Sequence, residues 1–304
     1  MKPDRNLLQA VLEIAIRAGH EIMAIYRDES RWDTQQKADD SPLTAADLAA
    51  HRVIEAGLLA LGADVPVLSE ESDDVPLAVR AAWTRFWLVD PLDGTKEFIA
   101  RNNEFSVNIA LVEAGEAVLG VVYGPATGIA YVAVRGQGAF RVQSVLHRSA
   151  SPESRSFQNG VDSPEETWVP VRSAGLPRLG ERAVRLCASR RHRDPREVAF
   201  VAAVESTIGK VAVARAGSAF KICAVADGTA DAYPRLGPTM EWDTAAGQVV
   251  LEEAGGALVD EQGRPFRYNQ RHTLLNGSFL ALGSAPEKWL PCWTPLFTAM
   301  TSPD

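Results

Sequence analysis

The chain has 304 residues, of which 46% are hydrophobic, and carries a formal net charge of −8. That length and apolar content support a substantial core, as one large domain or two packed lobes, and the acidic balance argues against a nucleic-acid polymer as partner. Cys187, Cys223 and Cys292 have neither zinc spacing nor the pattern of a disulfide framework, which points to a reducing compartment.

Leu7, Leu8, Val11, Leu12, Ala15, Ile16 and Ile22 recur at helical spacing and predict an amphipathic helix over about residues 6–28. Asp4, Arg5, Glu13, Arg17 and Glu21 interrupt that stretch, so it does not read as a signal peptide. No apolar run reaches the ~20 residues of a membrane span. A cytoplasmic protein is expected, with peripheral membrane contact left open. Lys37 to Thr44 is polar and turn-rich and leads into a second helix over about 45–61, with Asp47 in its first turn. Val65–Leu68 is a short strand that delivers Ser69-Glu70-Glu71-Ser72 at its C-terminal end, where layered α/β proteins commonly place ligands.

The most informative stretch is Trp87-Leu-Val-Asp90-Pro-Leu-Asp93-Gly94-Thr95-Lys96-Glu97-Phe98. Phe86–Val89 should be a buried strand that breaks at Pro91, and Gly94-Thr95 should open a short helix. Two carboxylates three residues apart then sit at a strand end, hard oxygen donors suited to Mg²⁺, with the N–H groups of a helix start beyond them. Turn chemistry alone also accounts for Asp-Pro-Leu-Asp-Gly. Residues 105–112, 117–123, 129–134 and 139–142 read as successive antiparallel strands joined by turns at Gly115-Glu116, Pro125–Gly128 and Gly136–Gly138. Residues 144–177 carry no apolar period and read as a long lobe connection.

A second lobe opens with a strand at Val184–Ala188, ending in Ser189-Arg190-Arg191-His192-Arg193, and a helix starting at Asp194-Pro195. A helix over about 219–226 carries Lys221 near its start. A strand at Ala230–Tyr233 runs into Tyr233-Pro-Arg235, close to Glu241-Trp242-Asp243. Thr244–Glu253 is a helix stopped at Gly255-Gly256, and Ala257–Val259 and Phe279–Leu282 are strands. The division expected is an N-terminal lobe, 1–143, a connection, 144–182, and a C-terminal lobe, 183–304. The arginines after Ser189 read equally well as a solvated loop, and Lys221 as helix surface.

Asp90-Pro-Leu-Asp93-Gly94-Thr95 resembles the inositol monophosphatase superfamily of Mg²⁺-dependent, lithium-sensitive phosphatases. The continuation Lys96-Glu97-Phe98 resembles its 3'(2'),5'-bisphosphate nucleotidase branch, the CysQ type. The likeness runs from Ser41-Pro-Leu-Thr-Ala-Ala-Asp47 to Trp242-Asp243-Thr-Ala-Ala-Gly247, and it covers most of the chain. It implies an α/β fold of layered α+β type, an α/β/α/β/α sandwich with the site between lobes. It also implies that Glu70, Asp90, Asp93, Asp243 and the Leu92 carbonyl hold two or three Mg²⁺ ions. Thr95 paired with Asp47, with Glu70 beside them, would act on the attacking water, and the N–H groups of Gly94 and Thr95 would hold phosphate oxygens.

Ser189-Arg190-Arg191-His192 resembles the nucleotidases' Ser-Arg-Ser-His segment, with Arg191 in place of Ser, and Gly217-Ser-Ala-Phe-Lys221 resembles their glycine-to-lysine segment. Ser189, His192, Gly217 and Lys221 are therefore implied as substrate contacts, alongside Glu70, Leu92, Asp93, Gly94, Thr95 and Asp243. The implied reaction converts adenosine 3',5'-bisphosphate to AMP and phosphate in sulfur metabolism, with PAPS to APS as the same chemistry. The partner is then a small phosphorylated nucleotide, handled by a monomer or homodimer. Inositol monophosphatases and sugar bisphosphatases share the metal motif, and a non-catalytic nucleotide or metal sensor would share the fold. The intact set Asp47, Glu70, Asp90, Asp93, Thr95 and Asp243 argues for an enzyme.

Overall fold

In the computed structural model, which describes residues 3–36, 42–143, 167–177, 181–189 and 195–301, the N-terminal apolar period forms helix α1 (Arg5–Tyr26). Asp4 caps it by accepting from the Leu7 N–H at 2.9 Å, and Leu7, Leu8, Val11, Leu12, Ala15 and Ile22 line its buried stripe. A short antiparallel pair, β1 (Gln35–Gln36) and β2 (Pro42–Leu43), leads to α2 (Ala45–Leu61). Thr44 and Asp47 form a capping box at the start of α2.

Helices α1 and α2 pack together on one face of a seven-stranded sheet. Its strands are β3 (Val67–Ser69), β4 (Arg85–Asp93), β5 (Ser106–Glu113), β6 (Glu116–Gly124), β7 (Ile129–Val134), β8 (Ala139–Gln143) and β9 (Thr167–Pro170), in sequence order. Only β3 and β4 pair in parallel. The short helices α3 (Leu77–Arg80) and α4 (Thr95–Ile99) lie in the connections on either side of β4. Along β5, Val107, Ile109 and Leu111 enter the core beneath α1, while Ala110 and Val112 enter the core on the other face.

The second sheet has the order β11-β10-β12-β14-β13, built from β10 (Val184–Ser189), β11 (Val211–Ala216), β12 (Ala232–Arg235), β13 (Ala257–Asp260) and β14 (Phe279–Leu282). Four further helices accompany it: α5 (Pro195–Thr207), α6 (Phe220–Ala226), α7 (Glu241–Glu253) and α8 (Pro286–Thr301). Helix α7 packs on β4 to β8 and on β13, and α6 packs on α7 and on β10, β12 and β14. These two helices fill the layer between the sheets, and α5 and α8 cover the outer face. The result is the α/β/α/β/α sandwich that the resemblance implies.

Several elements differ from expectation. The described end of the 144–177 stretch is an edge strand, β9, mostly exposed and therefore without the alternation that marks a half-buried strand. Residues 144–166 lie outside the described residues. Strand β11 is also a largely exposed edge strand, and its Val-Ala-Val-Ala run does not distinguish strand from helix. Helix α8 contains Pro291 and Pro295, which ordinarily stop a helix, yet it buries Trp289, Trp293 and Phe297 at successive turns. Trp293 and Phe297 meet Phe200 of α5 edge-on. Helix α7 begins at Glu241 and not Thr244, which takes Asp243 into its first turn. Among the described residues, no helix is long and apolar enough to cross a membrane.

Candidate active site

Strand β4 does not break at Pro91. It continues to Asp93 through a register shift, with Asp90 opposite Asn108 and Asp93 opposite Ser106. Three steps on β4 are thereby matched to two on β5. In a regular strand, residues three apart point to opposite faces, whereas the bulge turns both aspartates to the face shared by Ser106 and Asn108. Pro91 has no N–H to lose, which suits it to such a bulge. The Asp90 carboxylate accepts the Leu92 N–H at 3.0 Å, which fixes the loop from within. Gly94 then turns the chain into α4 at φ 97°, a conformation open to glycine.

Three other elements converge on this bulge. Glu70 follows β3 and donates its N–H to the Val89 carbonyl at 3.1 Å, which sets it beside the end of β4. Asp47 uses one carboxylate oxygen to accept from Thr44 N–H at 2.8 Å and Thr44 Oγ1 at 2.6 Å. Its other oxygen accepts from Thr95 Oγ1 at 3.1 Å, which brings Asp47 and Thr95 together, with Asp47 buried behind the threonine. Asp243 comes from the opposite side, its carboxylate accepting the Met240 N–H at 2.8 Å. Buried Glu241 anchors this helix start by accepting the Asn269 N–H at 2.7 Å, and Asn276 Nδ2 donates to the Met240 carbonyl at 2.7 Å. Arg80, also buried, ties the same 269–272 segment to α3 through Asn269 and the carbonyls of Arg271 and His272.

Glu70, Asp90, Leu92, Asp93, Thr95 and Asp243 line a cavity of about 340 Å³. It adjoins a second cavity of about 120 Å³, which shares Asp93, Gly94, Glu97, Thr239 and Asp243 and adds Ser189, Gly217, Lys221, Tyr233 and Arg235. Lys221 is therefore not helix surface. It is buried, donates from Nζ to the Ser218 carbonyl at 2.6 Å, and lies 5.4 Å from the Tyr233 ring. Gly217 allows its turn to press on the segment before β5, since a Cβ there would come within 2.8 Å of the Glu104 carbonyl. His192 lies outside the described residues. Glu97 and Thr239 are not among the residues that the sequence marks as contacts, and Arg235 is marked there only through Tyr233-Pro-Arg235, without a contact assigned to it. For Arg235 the available signal was its place at the end of β12, shortly before Asp243.

The electrostatics are those of a crowded anionic site. Burial, and then the charges of Glu70, Asp93, Asp243 and Asp47, push the Asp90 carboxyl well above the usual range. Burial and the Asp93 charge do the same to Asp243. Asp93 is pushed up to about 6 by burial, against the opposing pull of Lys221, Asn108 and the Ala219 N–H. Burial in turn pulls the Lys221 ammonium down, opposed by Asp93. Carboxylates that repel one another in this way are relieved by a cation.

Among the described residues, no three His, Cys, Asp or Glu side chains form a ready-made metal cage. Mg²⁺ does not require one, because it keeps several waters and takes one or two carboxylates together with substrate phosphate. The donors here are all oxygens, which fits a hard cation better than zinc.

The model of the inositol monophosphatase family matches residues 4–289. The chain is 41% identical over 273 residues to the 3'(2'),5'-bisphosphate nucleotidase CysQ of Escherichia coli K12, covering 90% of this chain and 98% of that protein. The CysQ nucleotidase of Haemophilus influenzae is 33% identical over 286 residues, with coverages of 94% and 96%. The crystal structure of CysQ from Bacteroides thetaiotaomicron matches with a TM-score of 0.75 and 38% identity, over 92% of this chain and 97% of that one. Its motifs occur in order along the sequence and its carboxylates gather at the β4 bulge, so this chain belongs to the inositol monophosphatase family, whose members are metal-dependent phosphatases.

Proposed function

We propose that the protein is a Mg²⁺-dependent 3'(2'),5'-bisphosphate nucleotidase that hydrolyses the 3'-phosphate of adenosine 3',5'-bisphosphate to AMP and phosphate. The observation that carries this reading is one continuous recess with carboxylates at one end and Lys221 and Arg235 at the other. A substrate with two separate phosphates fits it: one phosphate meets the metal-binding end, and the other needs cations of the protein. The nucleotidase activity named for the CysQ relatives supports the same assignment.

In this reading Glu70, Asp90, Asp93, Asp243 and the Leu92 carbonyl hold Mg²⁺, in two or three positions. When bound, Mg²⁺ supplies Lewis-acid stabilisation of the charge that develops on the phosphoryl oxygens. Thr95 donates its proton to Asp47, which leaves its oxygen lone pairs to accept from the attacking water and aim it at phosphorus. Asp47, and Glu70 beside the site, are the proton acceptors. As water adds, the bond from phosphorus to the ribose 3'-oxygen breaks and that oxygen takes up a proton. The N–H groups of Gly94 and Thr95 hold phosphoryl oxygens, and Ser189, Gly217 and Lys221 hold the nucleotide. The two lobes, 1–143 and 183–304, are the bodies between which the nucleotide sits. A small soluble substrate suits a cytoplasmic monomer or homodimer.

The test is phosphate release from a panel of adenosine 3',5'-bisphosphate, inositol monophosphate and fructose bisphosphate, with and without Mg²⁺. The bisphosphorylated nucleotide should show the highest kcat/KM. Preference for inositol monophosphate would replace the assignment with the sister activity.

A further inference from the structure

The face of β5 turned toward Asp93 carries two polar side chains, Ser106 and Asn108, beside the apolar Ala110 and Val112. Ser106 and Asn108 are 0% and 1% exposed, and burial of such groups is costly unless each is hydrogen-bonded. Ser106 Oγ donates to Asn108 Oδ1 at 2.9 Å. That uses its single proton, so at the 2.7 Å contact between the Ser106 and Ser218 hydroxyls the donor is Ser218. With its carbonyl oxygen engaged, Asn108 turns its amide nitrogen to Asp93 and donates to Oδ2 at 3.4 Å. The opposite amide orientation would set a carbonyl oxygen against a carboxylate. All the protons therefore run one way, from Ser218 in the second lobe through Ser106 and Asn108 to Asp93.

The Ser218 end of this chain is itself constrained. Ser218 sits at φ 49°, a conformation rare for a residue with a side chain, and its carbonyl accepts from Lys221 Nζ at 2.6 Å. Gly217, one residue before, is pressed against the Glu104 carbonyl at the entry to β5. The turn that carries Lys221 is thus docked on the same strand that steadies Asp93. Neither Ser106 nor Asn108 lines the two cavities, so any influence on ligand must pass through their neighbours.

We infer that Ser106 and Asn108 are positioning residues that tie the Asp93 carboxylate to the turn carrying Lys221, so that one chain of hydrogen bonds sets the metal-facing and nucleotide-facing halves of the site. The Lys221 arm rests on the nucleotidase reading, whereas the Asp93 arm does not depend on the substrate. Ser106→Ala cuts the link between lobes at small cost in volume, and Asn108→Leu removes the donor to Asp93 at similar size. Mg²⁺ affinity is measured by calorimetry with and without AMP, together with kcat and KM for adenosine 3',5'-bisphosphate and a thermal melt to verify folding.

Asn108→Leu should weaken Mg²⁺ binding by about 3–10-fold, and Ser106→Ala should raise KM by a similar factor with kcat little changed. AMP should tighten Mg²⁺ binding in the wild type and lose that effect in Ser106→Ala, because coupling between two sites is reciprocal. A folded Ser106→Ala with wild-type KM and intact AMP–Mg²⁺ coupling overturns the inference, and this variant decides alone should Asn108→Leu fail to fold. If the wild type does not hydrolyse the bisphosphorylated nucleotide, the nucleotidase reading fails. The Mg²⁺ affinity of Asn108→Leu then still decides the Asp93 arm, unchanged affinity overturning it and weakened affinity supporting it.

Discussion

Replacing Lys221 with methionine isolates the charge that the nucleotide reading requires. Methionine keeps the apolar stem packed beside Tyr233, so the core around α6 is preserved while the ammonium is lost. An ammonium has three donors, and one of them is committed to the Ser218 carbonyl at 2.6 Å. The remaining donors can meet a phosphate in a buried setting, where a charge-assisted hydrogen bond contributes about 1.5–3 kcal/mol. Loss of one such contact should raise KM for adenosine 3',5'-bisphosphate by roughly 10–100-fold. Lys221 lines the smaller cavity, away from the Glu70 and Asp90 end of the larger one, so turnover of a small phosphomonoester should be nearly unchanged. Initial-rate kinetics on both substrates, with Mg²⁺ saturating, is the assay. An equal loss on both substrates would refute the reasoning and place Lys221 in the shared phosphate site or in the fold, and an unchanged nucleotide KM would show that its charge does not meet the substrate.

Thr95→Ala should lower kcat by about 10²–10⁴-fold with little change in KM, because in the proposed mechanism its hydroxyl, held by Asp47, serves the attacking water and not the substrate's anchors. A raised KM at constant kcat would contradict that role. Asp93→Asn keeps the size but removes a charged ligand, so activity should fall steeply and should not return when Mg²⁺ is restored after chelation. Retention of wild-type turnover in chelator would remove the metal mechanism. Arg80→Met strands Asn269 Oδ1 and the carbonyls of Val75, Arg271 and His272, and should cost at least about 2 kcal/mol in urea denaturation. A loss below about half of that would mean that water reaches these groups.

The elements most legible in the sequence are those whose signal is local. The apolar stripe of α1, the start of α2 with Asp47 in its first turn, and the apolar runs of β5 to β8 bounded by turn residues follow from backbone geometry within a few residues. Helix α8 was not legible, because Pro291 and Pro295 contradict a helix locally and only the packing of Trp289, Trp293 and Phe297 outweighs them. Strands β9 and β11 lie at sheet edges, where exposure on both faces erases the alternation. Among the residues lining the cavities, Glu97 stands apart from any pattern that marks a site, whereas Arg235 had the nearness of Tyr233-Pro-Arg235 to Asp243 as a signal, and the place of both depends on tertiary packing.

By itself the sequence determined which chemical groups this protein has available: carboxylates and a threonine at element ends, a glycine-to-lysine turn, and helices and strands in an order that allows only a few layered folds. Only the tertiary structure decided that these groups share one recess. The bulge that turns Asp90 and Asp93 to one face exists through pairing with β5, and the Thr95–Asp47 bond joins residues 48 positions apart. Asp243 reaches the same place because α7 is sandwiched between two sheets and strapped at its start by Asn269 and Asn276. The physical reason is range. Backbone periodicity is set by neighbours three or four residues away, whereas the direction in which a side chain points into a site is set by layers that come together from distant parts of the chain.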